Sequence, residues 1–379
     1  MKFAFNEEQE ELRRQARTFL DKHSSSERVR AAMQSDRGYE EDVWRRISAE
    51  LGWTAITIPE RHGGLGLGYV ELVALFEEAG RALLCSPLFS TVALATNALL
   101  TAADSDRATE LLPTIAAGET TATLAYTEAS GSWQPSAVST TARWDGNEYV
   151  LNGVKTFVLD GHSADWLIMA ARMPGSSGES GISLFALRAD VAGVTRRLLP
   201  TMDQTRKLAE VVLDGVRLPV SALIGEEGAA WPALSRTLDL AAIALAAEQV
   251  GGAQRCLDMT VAYAKDRRQF GRPIGSFQAI KHKCADMLLK VESARSAAYY
   301  AGWAAAVEER EFPAVASLAK AYCSDAYFDC AAEAIQIHGG VGFTWEYDVH
   351  LHFKRARSGE SLLGSPAHHR ELVAQRIGL

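Results

Sequence analysis

Several residue groups in this 379-residue chain carry chemistry by type and spacing. His350 and His352, in Val349-His-Leu-His-Phe353, offer imidazoles of the kind that ligate zinc. A spacing of two on a helix sets them on different faces, so they read as solvated or packing histidines and no metal site is expected. His368-His369, beside Arg370, read as a polar helix surface. Arg61-His-Gly-Gly-Leu-Gly-Leu-Gly68 invites comparison with a phosphate-cradling glycine loop. After Gly64 and Gly66 that fingerprint needs a third glycine where Tyr69 stands, and no strand pattern precedes the run, so it reads as a turn. Glu248 has the chemistry of a general base, but within its apolar helical run it reads as a paired structural carboxylate. Cys85, Cys256, Cys284, Cys323 and Cys330 are odd in number without CxxC spacing, which argues against a disulfide framework or zinc site and for small core residues.

The elements that must position such groups fall into three blocks. Asn6 and Gln9 have the spacing of a helix capping box, and Leu12, Ala16, Phe19 and Leu20 follow on one stripe. A second amphipathic run, Trp44 to Leu51, stops at Gly52, and a third, Tyr69 to Ala82, follows the glycine turn. Ala82 to Ala103 lacks charge over a bilayer-spanning length, yet Pro87 and its Ser, Thr and Asn residues make it a buried, Ala-rich pair of helices. Near Thr120 the period shortens to two, and Ala122–Thr127, Val138–Trp144, Glu148–Val158, Trp166–Ala171, Ile182–Leu187 and Ala209–Leu213 read as strands of an antiparallel sheet. Asp145-Gly146 and Asn152-Gly153 read as hairpin turns, and Pro174 to Gly181 as a flexible loop. After Gly228 the helical period returns, with long runs over Ala230–Arg267, Phe277–Glu309 and Ala314–His338 that suit a bundle. The expected architecture is α+β, with an N-terminal helical domain (1–120), a middle β domain (121–226) and a C-terminal helical bundle (227–379). Such a length suits more than one core.

Composition excludes some functions. Acidic residues outnumber basic ones 47 to 39, a formal charge of −8, and no basic tail offsets it, so binding to nucleic acid by phosphate neutralisation is not expected. Met1 to Glu11 meets acidic residues before any apolar run, unlike a secretory leader, so the expectation is a cytoplasmic protein not held in a membrane.

Five local words decide the chemistry: Tyr126-Thr-Glu-Ala-Ser-Gly-Ser132; Asn152-Gly-Val-Lys-Thr-Phe-Val-Leu-Asp-Gly161 with Ala164-Asp-Trp166; Arg267-Arg-Gln-Phe-Gly-Arg-Pro-Ile274; Phe277-Gln-Ala-Ile-Lys-His-Lys-Cys-Ala-Asp-Met287; and Gln336-Ile-His-Gly-Gly-Val-Gly-Phe-Thr-Trp-Glu346. In this order, and with Asp203-Gln-Thr-Arg-Lys-Leu-Ala-Glu210, the chain resembles the flavin-dependent acyl-CoA dehydrogenase family along essentially its whole length. The resemblance implies FAD and an acyl-CoA substrate. It assigns Thr127 and the turn's backbone N–H groups to the electron-accepting edge of the flavin, where donors stabilise the negative charge of the reduced ring. Ser132 falls at an acyl-CoA-contacting position, although Trp133 stands where the family continues into Asp. Phe157 matches an aromatic stacked on the flavin. Leu159 stands where Thr or Ser commonly bonds flavin N5, a bond leucine lacks. Arg267, Phe270, Gln278, Gln336, Gly339 and Gly340 match positions holding the adenosine diphosphate half of FAD on a neighbouring subunit, which implies an oligomer. Taken singly, each word has a plainer alternative. Thr127 reads as a strand end, Phe157 and Leu159 as two same-face core residues, and Arg267 as the end of a charged helix.

The family takes an α-proton from the thioester while the β-hydrogen leaves as hydride. Its general base is most often a Glu after the Gly-Gly word, directly before a glycine. Gapless matching from Gly339-Gly340 puts Leu363 there, followed by Gly364. A second subgroup carries the Glu two residues after a pair resembling Leu238-Asp239; that position is Ala241, with Ala242 beside it. Asp239 matches a residue contacting the pantetheine arm. Glu360 is the remaining acidic candidate. Ser365 and Ala367 also depart from the Thr and Gln that commonly touch FAD. The leading expectation is an oxidoreductase complex, a dimer of dimers with a paralogous subunit that supplies the carboxylate, passing electrons to an electron-transfer flavoprotein. The alternatives are a flavin-dependent monooxygenase on the same fold, a non-catalytic acyl-CoA-binding or structural subunit, or a homotetrameric dehydrogenase using Glu360 or another base.

Overall fold

The computed structural model describes residues 5–102 and 106–379. Met1, in the opening segment, and Ala103, at the end of the uncharged run, lie outside the described residues. Along the chain come α1 (Glu7–His23), α2 (Ser26–Gln34), α3 (Glu41–Arg45), α4 (Tyr69–Arg81), α5 (Asn97–Thr101) and α6 (Asp106–Ala116). Next are β1 (Ala122–Ala125), β2 (Thr141–Trp144), β3 (Tyr149–Leu159), β4 (Trp166–Arg172), β5 (Ile182–Arg188), β6 (Val194–Leu199), β7 (Leu208–Leu218) and β8 (Leu223–Ile224). The remainder is α7 (Trp231–Asp266), the short strands β9 (Arg268–Gln269) and β10 (Arg272–Pro273), α8 (Gln278–Ala306), α9 (Phe312–His338), α10 (Val349–Ser361) and α11 (Pro366–Arg376). The order is N-terminal helices, a β-rich middle and C-terminal helices. Among the described residues no helix is long and apolar enough to cross a membrane.

Two compact units interleave along the sequence. One holds the residues up to Ala31, Tyr69–Leu84 and Ala242–Leu379; the other holds Ala32–Gly68 and Cys85–Ala241.

The first unit is helical. α1 opens on the expected capping box: the Asn6 side chain accepts from the Gln9 N–H at 2.8 Å and the Gln9 side chain accepts from the Asn6 N–H at 2.9 Å. The three long predicted helices appear as α7, α8 and α9 within a few residues of their expected ends. Their core joins Ala253 and Cys256 of α7, Met287 and Val291 of α8, Tyr327, Cys330 and Ala334 of α9, and Val349 and Ala356 of α10. α4 crosses α7 at Gly80 and Gly251, where a Cβ would fall 1.9 Å from the Glu248 carbonyl oxygen and 1.7 Å from that of Glu77. No larger residue permits that approach. Cys85, Cys256, Cys323 and Cys330 are buried and Cys284 half-buried, as expected of core cysteines.

The second unit is built on a mixed sheet of order β6-β7-β3-β2-β4-β5-β8, with β1 alongside β4. The purely antiparallel expectation is corrected here: β1 runs parallel to β4, and so does β2 at Thr141 and Arg172. Alternation within a strand fixes which face is buried but not which neighbour it joins, so the parallel pairs were not legible. Asp145-Gly146 does turn the β2–β3 hairpin, with Trp144 opposite Tyr149. Asn152-Gly153 does not turn. It lies inside β3 at a register shift against β7, and the Asn152 side chain accepts from the Gly215 N–H at 2.8 Å. Turn-forming residues here stay within the strand because both flanks pair with β7, whose own extra residue makes the register shift. The predicted pair of helices over the uncharged run is also corrected. A buried π-helical stretch, Phe89–Thr96, continues directly into α5, since neither Pro nor Gly follows Pro87 to divide it.

Candidate active site

The expected site residues fall in both units, and each group is described by itself. In the sheet unit, the chain leaves β1 at Ala125 and meets β3 almost at once. The Thr127 hydroxyl donates to the Thr156 carbonyl at 2.7 Å and the Thr156 N–H donates back to the Thr127 carbonyl at 2.9 Å. Thr127 is buried, with its hydroxyl proton already committed. On either side of it, the Lys155 ammonium donates to the Tyr126 carbonyl at 3.0 Å and to the Glu128 carboxylate at 2.8 Å. Glu128 also accepts from the Ser139 hydroxyl and N–H and from the Thr140 N–H at 2.9 Å. Burial alone would raise its pKa, but the Lys155 charge and these donors hold the carboxyl down at about 2. Burial pushes the Lys155 ammonium down to about 8 against the pull of Glu128.

Phe157 has φ +62 and is 44% exposed, whereas Leu159, two residues on, is buried. The reading of these as two same-face core residues is therefore corrected. β3 is bulged between Lys155 and Val158, which breaks the alternation and turns Phe157 outward while Leu159 packs. Ser132 is half-buried and its hydroxyl oxygen accepts from the Gln134 N–H at 3.2 Å. Trp133, the departure from the family's turn, stacks on Tyr126 with ring centroids 5.7 Å apart. Asp239 and Ala241 lie buried on α7.

In the helical unit, Arg267 follows the end of α7 and lines a cavity of about 520 Å³ with Tyr263, His338 and Tyr347. Tyr263 stacks on His338 at 4.3 Å, and Tyr347 stands edge-on to both. The fold thus brings Arg267 beside the end of α9, where Gly339, with φ +63, and Gly340 face solvent. Phe270 caps the β9–β10 hairpin, 91% exposed, with its ring edge-on to Phe277 just before Gln278. Gln278 and Gln336 are exposed. Among the described residues the Arg267, Gln278 and Gln336 side chains have no hydrogen-bond partner, so their donors are open to an anionic, hydrogen-bonding ligand.

Leu363 sits between α10 and α11, only 3% exposed, at φ +64. Its carbonyl accepts from His369 Nε2 at 2.9 Å, and His369 Nδ1 meets the Ser317 hydroxyl at 3.2 Å. Lys320 donates to the carbonyls of Gly359 at 3.1 Å, Glu360 at 3.2 Å and Gly364 at 3.0 Å, and to the Ser324 hydroxyl at 2.9 Å. Burial pushes this ammonium down to about 7, with Glu360 acting the other way. The Glu360 carboxylate is paired with Arg357 at 2.5 Å. His369 is buried, and this corrects its reading as helix surface; the α11 face that carries it packs on α9. His350 and His352 are buried packing residues, the latter bonded through Nδ1 to the Tyr327 hydroxyl at 2.9 Å. Among the described residues no group of ligands could hold a metal. Glu248 pairs with Arg355 at 2.8 Å, as a structural carboxylate should.

Sequence reasoning left Glu128, Lys155 and Lys320 without roles. A signal was present for each lysine, since both interrupt otherwise apolar or β-branched runs and a cation placed there requires buried acceptors.

Models of the N-terminal, middle and C-terminal domains of acyl-CoA dehydrogenases match residues 6–119, 123–216 and 228–378. The acyl-CoA dehydrogenase IpdE2 of Mycolicibacterium smegmatis is 37% identical over 363 residues, 95% of this chain and 96% of that protein. Butyryl-CoA dehydrogenase from Megasphaera elsdenii superposes with a TM-score of 0.93 at 28% identity over 100% of both chains. A chain of the ChsE4-ChsE5 complex from Mycobacterium tuberculosis does so at 0.88 and 26%, over 100% of this chain and 99% of that one. This chain belongs to the acyl-CoA dehydrogenase family of FAD-dependent oxidoreductases.

Proposed function

We propose that the chain is one subunit of a heteromeric acyl-CoA dehydrogenase, a dimer of dimers in which a paralogous subunit supplies the carboxylate that removes the α-proton. The observation that carries this reading is the loop at Leu363. A buried aliphatic side chain occupies the position before Gly364, and the nearest acid in sequence, Glu360, is tied to Arg357. Ala241 and Ala242, at the other family position, are fully buried and apolar. Leu363, Ala241 and Ala242 cannot accept a proton from a thioester, and lost general-base catalysis costs roughly 10²–10⁴ in rate.

The residues present fit FAD. Phe157 of the sheet unit offers an outward aromatic face for the ring system of one FAD, and the open donors of Arg267, Gln278 and Gln336 of the helical unit, with the exposed Gly339-Gly340 backbone, suit the pyrophosphate and adenosine half of another, bound to a neighbouring subunit. Bound FAD supplies the hydride acceptor for the β-carbon. In the sheet unit the chain's own Ser132 and Asp239 contact the acyl-CoA. The α-proton goes to the partner's carboxylate. The complex works in the cytoplasm and delivers electrons to an electron-transfer flavoprotein. The two-chain ChsE4-ChsE5 relative supports a heteromeric assembly as a precedent on this fold.

Co-expression with each neighbouring acyl-CoA dehydrogenase-like gene tests this. The expected result is a yellow complex with one partner that reduces dye when given an acyl-CoA, and an inert isolated chain. Brisk turnover of a CoA ester by the isolated chain, abolished by Glu360→Gln, would overturn it. Oxygen consumption with added reduced flavin would instead support a monooxygenase, and a chain colourless in every combination a structural subunit.

A further inference from the structure

The ring of Phe157 faces outward because something holds β3 in a bulge. Four residues of β3, Lys155 to Val158, span only three of β7, Val211 to Ala209, so one residue is extra. That excess is absorbed at Phe157, in a left-handed conformation that side-chain-bearing residues seldom adopt. The two residues before it are both tied to the segment leaving β1. Lys155, completely buried, reaches the Tyr126 carbonyl and the Glu128 carboxylate, and Thr156 exchanges two hydrogen bonds with Thr127. Glu128 is anchored in turn by Ser139 and Thr140.

We infer that the buried Lys155–Glu128 pair is a positioning device that sets the bulge and so aims Phe157 at the flavin. The inference rests on the proposal that FAD lies against Phe157. A buried ion pair is a weak source of stability compared with an apolar pair of similar shape, so replacing both charges together leaves the fold intact. What is lost is the tether between residue 155 and the turn.

The test compares wild type, the double variant Lys155→Met/Glu128→Gln, Phe157→Leu and the triple variant, each first checked for a single cooperative melt. FAD affinity is read from quenching of flavin fluorescence. An aromatic stacking contact corresponds to about 3- to 10-fold in affinity. The double variant and Phe157→Leu should each weaken binding by about that factor, and the triple variant should be no weaker than Phe157→Leu alone. A second readout needs no cofactor. With 4-fluorophenylalanine at position 157, the fluorine resonance of the otherwise native chain should shift or split when Lys155→Met/Glu128→Gln is introduced. An unmoved resonance, unchanged affinity or multiplied losses in the triple variant would overturn the inference. A moved resonance in a chain that never takes up FAD would sustain the positioning role and sink only the proposed flavin contact.

Discussion

Substituting Leu363→Glu is the sharpest trial of the idea that this chain keeps the loop and lacks only the base. The backbone at that position is held by groups other than the Leu363 side chain. His369 fixes the Leu363 carbonyl at 2.9 Å, Lys320 fixes the Gly364 carbonyl at 3.0 Å and Ser365 caps α11. The left-handed φ is already present, so glutamate inherits the conformation without new backbone strain. The cost is burial of a carboxyl where leucine is 3% exposed, about 1–3 kcal/mol if it enters protonated and unpaired. The gain, where the loop points at the α-carbon, is a general base contributing roughly 10²–10⁴ in rate, or about 3–5 kcal/mol of barrier. FAD-loaded variant and wild type are compared with a panel of CoA esters in a dye-reduction assay at several pH values. The expected result is an increase of at least about 100-fold for the isolated chain, with a rate that rises as the new carboxyl ionises. A folded, yellow variant as inert as wild type on every ester would refute the claim that the loop is built to present a base.

The same unit yields further tests. Lys320→Met leaves three backbone carbonyls and Ser324 without their donor and removes a buried charge, so unfolding free energy by denaturant titration should fall by about 2–4 kcal/mol; a loss below about 0.5 would show that water replaces the ammonium freely. Burial holds His352 and His369 down at about 3, below their ordinary 6.5. The unfolded chain therefore binds more protons between those values, and stability present above pH 6.5 is lost as pH falls toward 3, by about 1.4 kcal/mol per pH unit for each histidine. His369→Gln should flatten that acid limb by about one histidine's share, and an unchanged slope would assign the limb to other groups. Glu248→Gln or Arg355→Met breaks a buried pair and should cost about 3–5 kcal/mol, with the double variant costing clearly less than the sum; strict additivity in a double-mutant cycle would mean that the pair contributes no coupling.

Much of the architecture was legible because its signals are local. The Asn6 capping box, the three long helices and the Asp145-Gly146 turn each depend on residues within a few positions of one another. What escaped depends on distant partners. β6 carries Arg196 and Arg197 at an edge of the sheet, where a strand needs no apolar alternation. β8 is two residues long and exists only because β5 lies beside it. Asn152-Gly153 has the composition of a turn but stays inside β3 because β7 pairs on both sides of it. His369 looked polar by neighbourhood, yet α9 supplies Ser317 opposite its ring.

The site divides along the same line. Residue types show leucine and alanine at the positions where the resemblance places a base. They do not reveal whether the geometry for that chemistry remains. Here the geometry lies in backbone carbonyls and their donors: Lys320 and His369 around Leu363, and Lys155 and Thr127 around Phe157. The Leu363 side chain packs in a loop whose carbonyls are held by His369 and Lys320, so on the proposed reading exchanging it changes the chemistry while the path persists. On the proposed reading, that separation makes this acyl-CoA dehydrogenase family member a preserved scaffold rather than a decayed one. It also ties the two lysines to different failures: losing Lys320 should loosen the loop at Leu363, whereas losing Lys155 should misdirect the ring of Phe157.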